Sequence, residues 1–200
     1  MIDWVVFDLG NVLLKSTAAL PDLARVLAVE EASATDAYFA HRSDYDVHSD
    51  PARYWGEVSA RLGLTAPDLQ LVEELVRIDD LGWSVTDSET LGLIGDLAVA
   101  GASLAVLSNA PASMGRLIEA QEWSAGFRHL LFSGDLGIAK PSADIYQGLL
   151  HKLGAEPAAV AFLDDRADNI AGAVALGIHG LLFTGAAQAR VDLRALGLAV

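Results

Sequence analysis

Side chains able to do chemistry follow four short apolar stretches of this 200-residue sequence. They comprise a carboxylate, a hydroxyl beside an amide, a lone amine and a pair of carboxylates: Asp8, Ser108, Asn109, Lys140, Asp164 and Asp165. Three carboxylates brought together repel one another and do not all stay ionised without a cation. Because oxygen ligands suit a hard ion, Mg²⁺ is the expected cofactor.

The same residues suit the binding of a phosphate. Lys140 adds a second positive charge, so that with Mg²⁺ the pocket could accept an anion although the formal net charge of the chain is −14. Ser108 and the N–H groups at the start of the next helix can donate hydrogen bonds to phosphate oxygens. An aspartate placed against the phosphorus is a feasible nucleophile, giving an aspartyl-phosphate that water hydrolyses.

These side chains meet only if the apolar stretches before them are neighbouring strands. Hydrophobic patterning predicts strands at 4–7, 103–107, 129–132, 159–163 and 180–183. From residue 87 onward they alternate with predicted helices, a pattern typical of a parallel sheet covered on both faces. The carboxyl ends of such strands share one edge, so the sequence predicts an α/β, Rossmann-like fold with the site at that edge.

Residues 16–83 differ in composition from the rest, since Ala, Leu, Glu and Arg dominate there. We predict a small helical cap domain over 16–83, inserted after the first strand into a core domain formed by 1–15 and 84–200. Its helices are predicted at 17–30, 34–41, 51–62 and 66–78, with a polar loop over 42–50.

Two interpretations of the polar and aromatic residues in and after this loop remain open. The residues concerned are Arg42, Tyr45, Asp46, His48, Tyr54 and Trp55. They either close over the site and recognise a sugar, or their aromatic members form the core of the cap.

The composition excludes several classes of partner and site. Thirteen Lys and Arg against 27 Asp and Glu argue against a nucleic acid or an anionic membrane as partner. The absence of Cys excludes disulfides and thiolate metal sites. Because no run of about 18 uncharged apolar residues is present, we expect a cytoplasmic protein. Its expected partner is a small phosphorylated metabolite, since the residues described above suit the binding of a phosphate. Composition does not separate a monomer from a dimer.

Four segments resemble, in order and spacing, the motifs of the haloacid dehalogenase-like (HAD) hydrolase superfamily. They are Phe7-Asp8-Leu9-Gly10-Asn11-Val12-Leu13, Leu107-Ser108-Asn109, Gly137-Ile138-Ala139-Lys140-Pro141 and Leu163-Asp164-Asp165-Arg166-Ala167-Asp168-Asn169. The resemblance covers nearly the whole chain and implies a Rossmann-like core with a helical cap. The Asp-Leu-Gly-Asn form of the first motif and the Asp-Asp pair of the fourth are most similar to the sugar-phosphate phosphatase branch.

The resemblance implies a metal site at the edge of the sheet. Asp8 would be a Mg²⁺ ligand, and the backbone carbonyl of Gly10 would be another. Asp165 would bind the ion directly, and Asp164 would act through water. Asn169, one helical turn beyond Asp165, would orient the metal ligands without binding the ion itself.

The resemblance also implies how substrate is held and attacked. Asp8 would be the nucleophile, while Ser108 and Asn109 would hold the phosphate. Lys140 would bridge phosphate and nucleophile and reduce their repulsion. The implied function is that of a Mg²⁺-dependent phosphatase, which hydrolyses a small phosphomonoester such as a sugar phosphate.

One position departs from the pattern of most phosphatases of this superfamily. They carry an aspartate two residues after the nucleophile as general acid and base, whereas this chain has Gly10. Loss of a general acid typically costs about 10²- to 10⁴-fold in rate. The chain is thus expected to turn over slowly, to use a good leaving group, or to replace the acid by water or a cap residue.

Gly10 keeps two alternative functions open. One is a metal-independent 2-haloacid dehalogenase using Asp8 and Lys140, although the pair Asp164 and Asp165 indicates a metal. The other is a non-catalytic domain that binds a phosphorylated metabolite or a protein. Mutase-like phosphoryl transfer is disfavoured, because returning the phosphoryl group relies on the missing acid and base.

Overall fold

The computed structural model describes residues 1–15 and 17–200. Its strands are β1 (Trp4–Phe7), β2 (Ser103–Ser108), β3 (His129–Phe132), β4 (Val160–Asp164) and β5 (His179–Leu182). All neighbouring strands are parallel, in the order β3-β2-β1-β4-β5. Each strand bound lies within one residue of its prediction, and the predicted parallel α/β sheet is confirmed.

The inner strands β1, β2 and β4 bury both of their faces, whereas the edge strand β5 is only partly buried. Val5 and Phe7 pack into a hydrophobic cluster on one side of the sheet, and Val6 between them packs into a second cluster on the other. All three side chains are fully buried, and each such burial contributes roughly 1.5–3 kcal/mol. The sheet is therefore a firm base for the residues at its carboxyl edge.

Helices flank this sheet and fill the segment after β1. They are α1 (Leu20–Leu27), α2 (Glu31–Ala40), α3 (Arg42–His48), α4 (Pro51–Arg61), α5 (Leu69–Gly82), α6 (Ser88–Val99), α7 (Ala112–Glu119), α8 (Ser133–Leu136), α9 (Ala143–Leu153), α10 (Ala167–Val174) and α11 (Ala186–Ala195). In residues 1–15 and 17–200, no helix combines the length and apolarity needed to cross a bilayer.

Helices α1 to α5 form a helical insertion with a hydrophobic cluster of its own. Tyr45 stacks on Tyr54 with ring centroids 4.3 Å apart, and Trp55 packs edge-on against Tyr54. Tyr45, Tyr54 and Trp55 are therefore core residues of this segment, as the second interpretation predicts. Contact of Arg42, Asp46 or His48 with a substrate stays a prediction. The division into a core domain and a cap domain stays a prediction, and its first cap residue, Ser16, lies outside the described residues.

The prediction of a polar loop over 42–50 is wrong, because α3 occupies most of it. Arg42 and Asp46 are four residues apart and pair across one helical turn, with 2.7 Å between Arg42 Nε and Asp46 Oδ1. Both side chains are largely buried. Their polarity therefore reflects a buried ion pair rather than exposure to solvent, and the helix ends where Ser49 adopts a left-handed backbone conformation.

Several other helix predictions need correction. Helix α1 covers Leu20–Leu27 rather than 17–30, and α2 begins at Glu31 rather than at 34. The last cap helix begins at Leu69 rather than at 66, because the Asp68 side chain accepts a hydrogen bond from the Leu71 amide and caps it, and it continues to Gly82. Helix α11 was not predicted at all. It packs against α6 and buries Ala186, Ala189 and Leu193, and most of its apolar residues are small alanines that give only a weak hydrophobic pattern.

Hydrogen bonds fix α3 to the core beside the carboxyl edge of the sheet. The Ser133 hydroxyl donates to the Asp46 carbonyl at 2.5 Å, and the Ala112 amide donates to the Ser49 hydroxyl at 2.9 Å. Glycine is required at position 134, since a Cβ there would lie 2.6 Å from the Ala112 amide nitrogen and collide with Ser49. The helical insertion thus reaches the edge where the predicted site lies.

Candidate active site

A cavity of about 520 Å³ opens between the carboxyl edge of the sheet and the helical insertion. Seven of the eight predicted site residues line it: Asp8, Gly10, Ser108, Asn109, Lys140, Asp165 and Asn169. The eighth, Asp164, is fully buried beside them. Strand register explains this convergence, because Phe7 pairs with Val106 of β2 and with Leu163 of β4, which places Asp8 between those two strand ends.

Lys140 joins the two innermost carboxylates. Its Nζ lies 2.9 Å from Asp8 Oδ1 and 2.7 Å from Asp164 Oδ2, and it donates to the Leu107 carbonyl at 2.8 Å. The Lys140 side chain is only 1% exposed. An ammonium group has three donors, and three protein oxygens lie within 2.9 Å of this one. Lys140 therefore holds Asp8 in place and compensates its charge.

Asp164 is held by donors on both carboxylate oxygens. The Arg166 amide donates to Oδ1 at 2.8 Å, Lys140 donates to Oδ2, and the Asn169 amide contacts both oxygens at 3.0 and 2.9 Å. Burial raises the pKa of Asp164 to about 6; the Asp8 charge adds to the rise, and Lys140 opposes it. Asn169, expected one turn beyond Asp165, thus acts on Asp164.

Asn109 fixes the backbone of Lys140. Its Oδ1 accepts from the Lys140 amide at 2.8 Å, and its Nδ2 donates to the Lys140 carbonyl at 2.9 Å. The side chain thereby couples the end of β2 to the segment that carries the lysine. Its predicted contact with phosphate stays a prediction, as does that of Ser108, which is 3% exposed at the end of β2 and lines the cavity.

Three carboxylates could hold a metal ion here. Asp8, Asp164 and Asp165 each place one oxygen within 4.8 Å of the other two. Hard oxygen ligands of this kind fit Mg²⁺ or another hard cation. Asp164 already accepts four hydrogen bonds, so Asp8 and Asp165 have more capacity to bind an ion. Asp165 accepts from the Asn11 amide at 2.9 Å, which orients it towards the first motif.

The space beside Gly10 is bounded by an aromatic ring. A Cβ at this position would lie 3.4 Å from Trp83 Cζ3, an ordinary contact, but a longer side chain would compete with the indole for room. The indole is held in turn by a hydrogen bond from its Nε1 to the Tyr38 hydroxyl at 2.9 Å. Trp83 therefore bounds the space open to a side chain at position 10.

The helical insertion contributes a charged wall to the cavity. Arg42 Nη1 lies 2.7 Å from Asp79 Oδ2, and Arg42 Nε binds Asp46. Arg42, Asp46 and Trp83 line the cavity, whereas Asp79 is buried behind them. Sequence reasoning named Arg42 and Asp46 as candidates but missed Asp79 and Trp83. No local signal marks these two, because their roles depend on hydrogen bonds with Tyr38 of α2 and Arg42 of α3, which are distant in sequence.

Solved structures of other proteins share this fold. An L-2-haloacid dehalogenase from Xanthobacter autotrophicus is 20% identical and superposes with a TM-score of 0.74 over 90% of this chain and 76% of that one. A HAD family enzyme from Bacteroides thetaiotaomicron, solved with magnesium and inorganic phosphate, is 18% identical with a TM-score of 0.68 over 90% and 93% of the two chains.

A predicted HAD-like hydrolase from Porphyromonas gingivalis is 21% identical, with a TM-score of 0.67 over 90% of each chain. At these identities the likeness concerns the fold alone. The family follows from the sequence model for haloacid dehalogenase-like hydrolases, which matches residues 2–177. With that match over most of its length, the chain belongs to the haloacid dehalogenase-like hydrolase family.

Proposed function

We propose that this hydrolase is a Mg²⁺-dependent phosphatase, which cleaves a small phosphomonoester through an aspartyl-phosphate on Asp8. One observation carries the proposal: oxygens of Asp8, Asp164 and Asp165 converge within 4.8 Å, and only one buried ammonium, that of Lys140, pairs with carboxylates of this cluster in the described residues. Three carboxylates against one lysine leave two negative charges in excess. A site built to bind a divalent cation accounts for that excess.

Each step of the proposed reaction is assigned to particular residues of the chain. Asp8 attacks the phosphorus, and the bond from phosphorus to the ester oxygen breaks, so that the phosphoryl group is carried on Asp8. Lys140 pairs with the Asp8 carboxylate and orients it, while Ser108 donates to a phosphate oxygen. Water then attacks the phosphorus, which releases inorganic phosphate and restores the Asp8 carboxylate.

The donor set suits the proposed metal ion. Asp8, Asp165 and the Gly10 carbonyl would hold Mg²⁺, with Asp164 behind them. When bound, the ion supplies positive charge that neutralises phosphate oxygens. The structure of the Bacteroides thetaiotaomicron enzyme with magnesium and inorganic phosphate is in keeping with this proposal.

The cavity supports a small substrate with a single charged group. Its volume of about 520 Å³ lies within the range of about 300–1,000 Å³ typical of small-molecule pockets. Each cationic side chain lining the cavity in the described part of the chain already pairs with a carboxylate: Arg42, Lys140 and Arg166. A second anionic group on the substrate would find no uncompensated partner there. A sugar phosphate, with a neutral polyol behind the phosphate, meets both conditions.

A panel assay tests the proposed function. Sugar phosphates and 4-nitrophenyl phosphate are incubated with the purified protein in Mg²⁺ or in EDTA, and phosphate release is measured beside halide release from 2-chloropropionate. We expect phosphate release that requires Mg²⁺ and no halide. Halide release unaffected by EDTA would identify a dehalogenase. Calorimetric binding of phosphate esters without turnover over hours would identify a non-catalytic domain.

A further inference from the structure

We propose that the carboxyl group of Asp46 is the general acid and base that position 10 lacks. It protonates the leaving oxygen of the ester and then takes a proton from the attacking water. The inference rests on the phosphatase function proposed above, and it assigns the proton transfers of that reaction to a residue of helix α3.

The position of Asp46 follows from how α3 is anchored. Its carbonyl accepts from the Ser133 hydroxyl, which also accepts from the Ala110 amide at 3.0 Å. Two hydrogen bonds therefore connect Asp46 to the loop that follows Ser108. The Asp46 side chain lines the same cavity as Asp8, and it does so from the side of the helical insertion. A group on that side can reach an ester oxygen that leaves away from the nucleophile at the sheet edge.

The charge balance around Asp46 favours a proton on it. One guanidinium, that of Arg42, serves both Asp46 and Asp79. Asp79 also accepts from the Tyr38 hydroxyl at 2.6 Å. In residues 1–15 and 17–200, only Arg42 Nε donates to the Asp46 carboxylate. A buried pair of carboxylates sharing one cation relieves its excess charge by protonation, and the member with fewer donors takes the proton.

The electrostatics of Asp46 agree with this geometry. Burial raises the pKa of Asp46 to about 6, Arg42 opposes the rise, and the charges of Asp79 and Asp8 add to it. The packed helices present two further titratable groups, Tyr38 from α2 and Tyr54 from α4, and burial raises the pKa of both hydroxyls, which keeps them neutral. A general acid is most effective when its pKa lies near the working pH.

The other acids of the cavity are engaged elsewhere. Asp8 is the proposed nucleophile, and Asp165 belongs to the carboxylate cluster. Asp168 pairs with Arg166 at 2.8 Å, and the hydrogen bond from Arg166 lowers its pKa. Of the acids lining the cavity in the described residues, Asp46 is thus the one left to act as the general acid.

Leaving-group dependence tests the proposal. Nitrophenolate departs without a proton, whereas an alkoxide needs one, so Asp46→Asn should lower kcat/KM for an alkyl phosphate by about 10²- to 10³-fold and leave kcat/KM for 4-nitrophenyl phosphate within about threefold. The alkyl ester is the one that the wild-type protein turns over fastest. With 4-nitrophenyl phosphate the variant should show a burst of nitrophenolate, because hydrolysis of the aspartyl-phosphate lacks its base. Asp44→Asn, an exposed aspartate on the same helix, should change neither ester.

The pH dependence of kcat/KM distinguishes a catalytic role of Asp46 from a purely structural one. Since the acid must carry its proton, wild-type kcat/KM for the alkyl ester should fall as the pH rises through about 6, and Asp46→Asn should lack that fall.

Equal losses for the two esters, or no loss for either, would overturn the role of Asp46 while leaving the phosphatase function intact. A wild-type protein that cleaves the aryl ester but no alkyl ester would do the same. A wild-type protein that releases phosphate from neither ester would overturn both proposals.

Discussion

Replacing Asp8 by Asn is expected to reduce phosphate release by roughly 10⁴-fold or more, the scale seen when a catalytic nucleophile is removed. The amide has the size and shape of the carboxylate, and its oxygen can still face the Lys140 ammonium, which lies 2.9 Å from Asp8 Oδ1 in the wild-type structure. The loss would therefore come from the nucleophile and not from the fold. Initial rates with saturating Mg²⁺ and the best ester of the panel measure it.

Asp3→Asn is the matched control for this variant. Asp3 is an exposed aspartate at the opposite end of the same strand, so its replacement should leave the rate within experimental error. Thermal unfolding of both variants checks that the fold is kept. An Asp8→Asn protein that is folded and retains more than a few per cent of wild-type activity would show that Asp8 is not the nucleophile.

Replacing Lys140 by Met is expected to destabilise the protein by about 3–5 kcal/mol, the usual cost of removing one partner of a buried ion pair. The carboxylates of Asp8 and Asp164, 10% and 0% exposed, would remain in the core without their cation. Since Lys140 lowers the pKa of Asp164, its loss should let Asp164 take up a proton more readily. The destabilisation should accordingly be smaller at pH 5 than at pH 8 when urea unfolding is followed in EDTA.

The double variant Lys140→Met, Asp164→Asn separates charge from packing. Removing one of the two uncompensated carboxylates should recover part of the lost stability at pH 8, whereas a packing defect would persist. Lys152→Met, at an exposed position of α9, serves as the control. A Lys140→Met protein as stable as the wild type at pH 8 would mean that the buried ion pairs are not formed.

The sheet was predictable because its inner strands are short, continuous apolar runs, as expected of parallel strands buried on both faces. Runs such as Trp4–Phe7 contain little but β-branched and aromatic residues, and no competing pattern obscures them. The helical insertion was harder to predict. Arg42 and Asp46 lie on a buried face of α3, and polarity alone does not distinguish a buried ion pair from an exposed loop.

The site was predictable where it depends on strand ends and unpredictable where it depends on helix packing. Parallel strands bring Asp8 and Asp164 together whatever the loops between them do. The attachment of Asn109 to the Lys140 backbone spans 31 residues, and the pairing of Arg42 with Asp79 spans 37. Neither contact leaves a pattern in the sequence. For the same reason the sequence left open what replaces the acid missing at Gly10, and the proposal of Asp46 required the structure.

The fate of the water oxygen tests the central claim most directly. In a single turnover in oxygen-18 water, attack on phosphorus labels the released phosphate and leaves the Asp8 carboxylate unlabelled, whereas attack on the carbon of an aspartyl ester labels Asp8. Mass spectrometry of the phosphate and of the peptide containing Asp8 reads both. We predict label in the phosphate alone. Label in the Asp8 peptide would contradict hydrolysis of an aspartyl-phosphate and favour the chemistry of a dehalogenase.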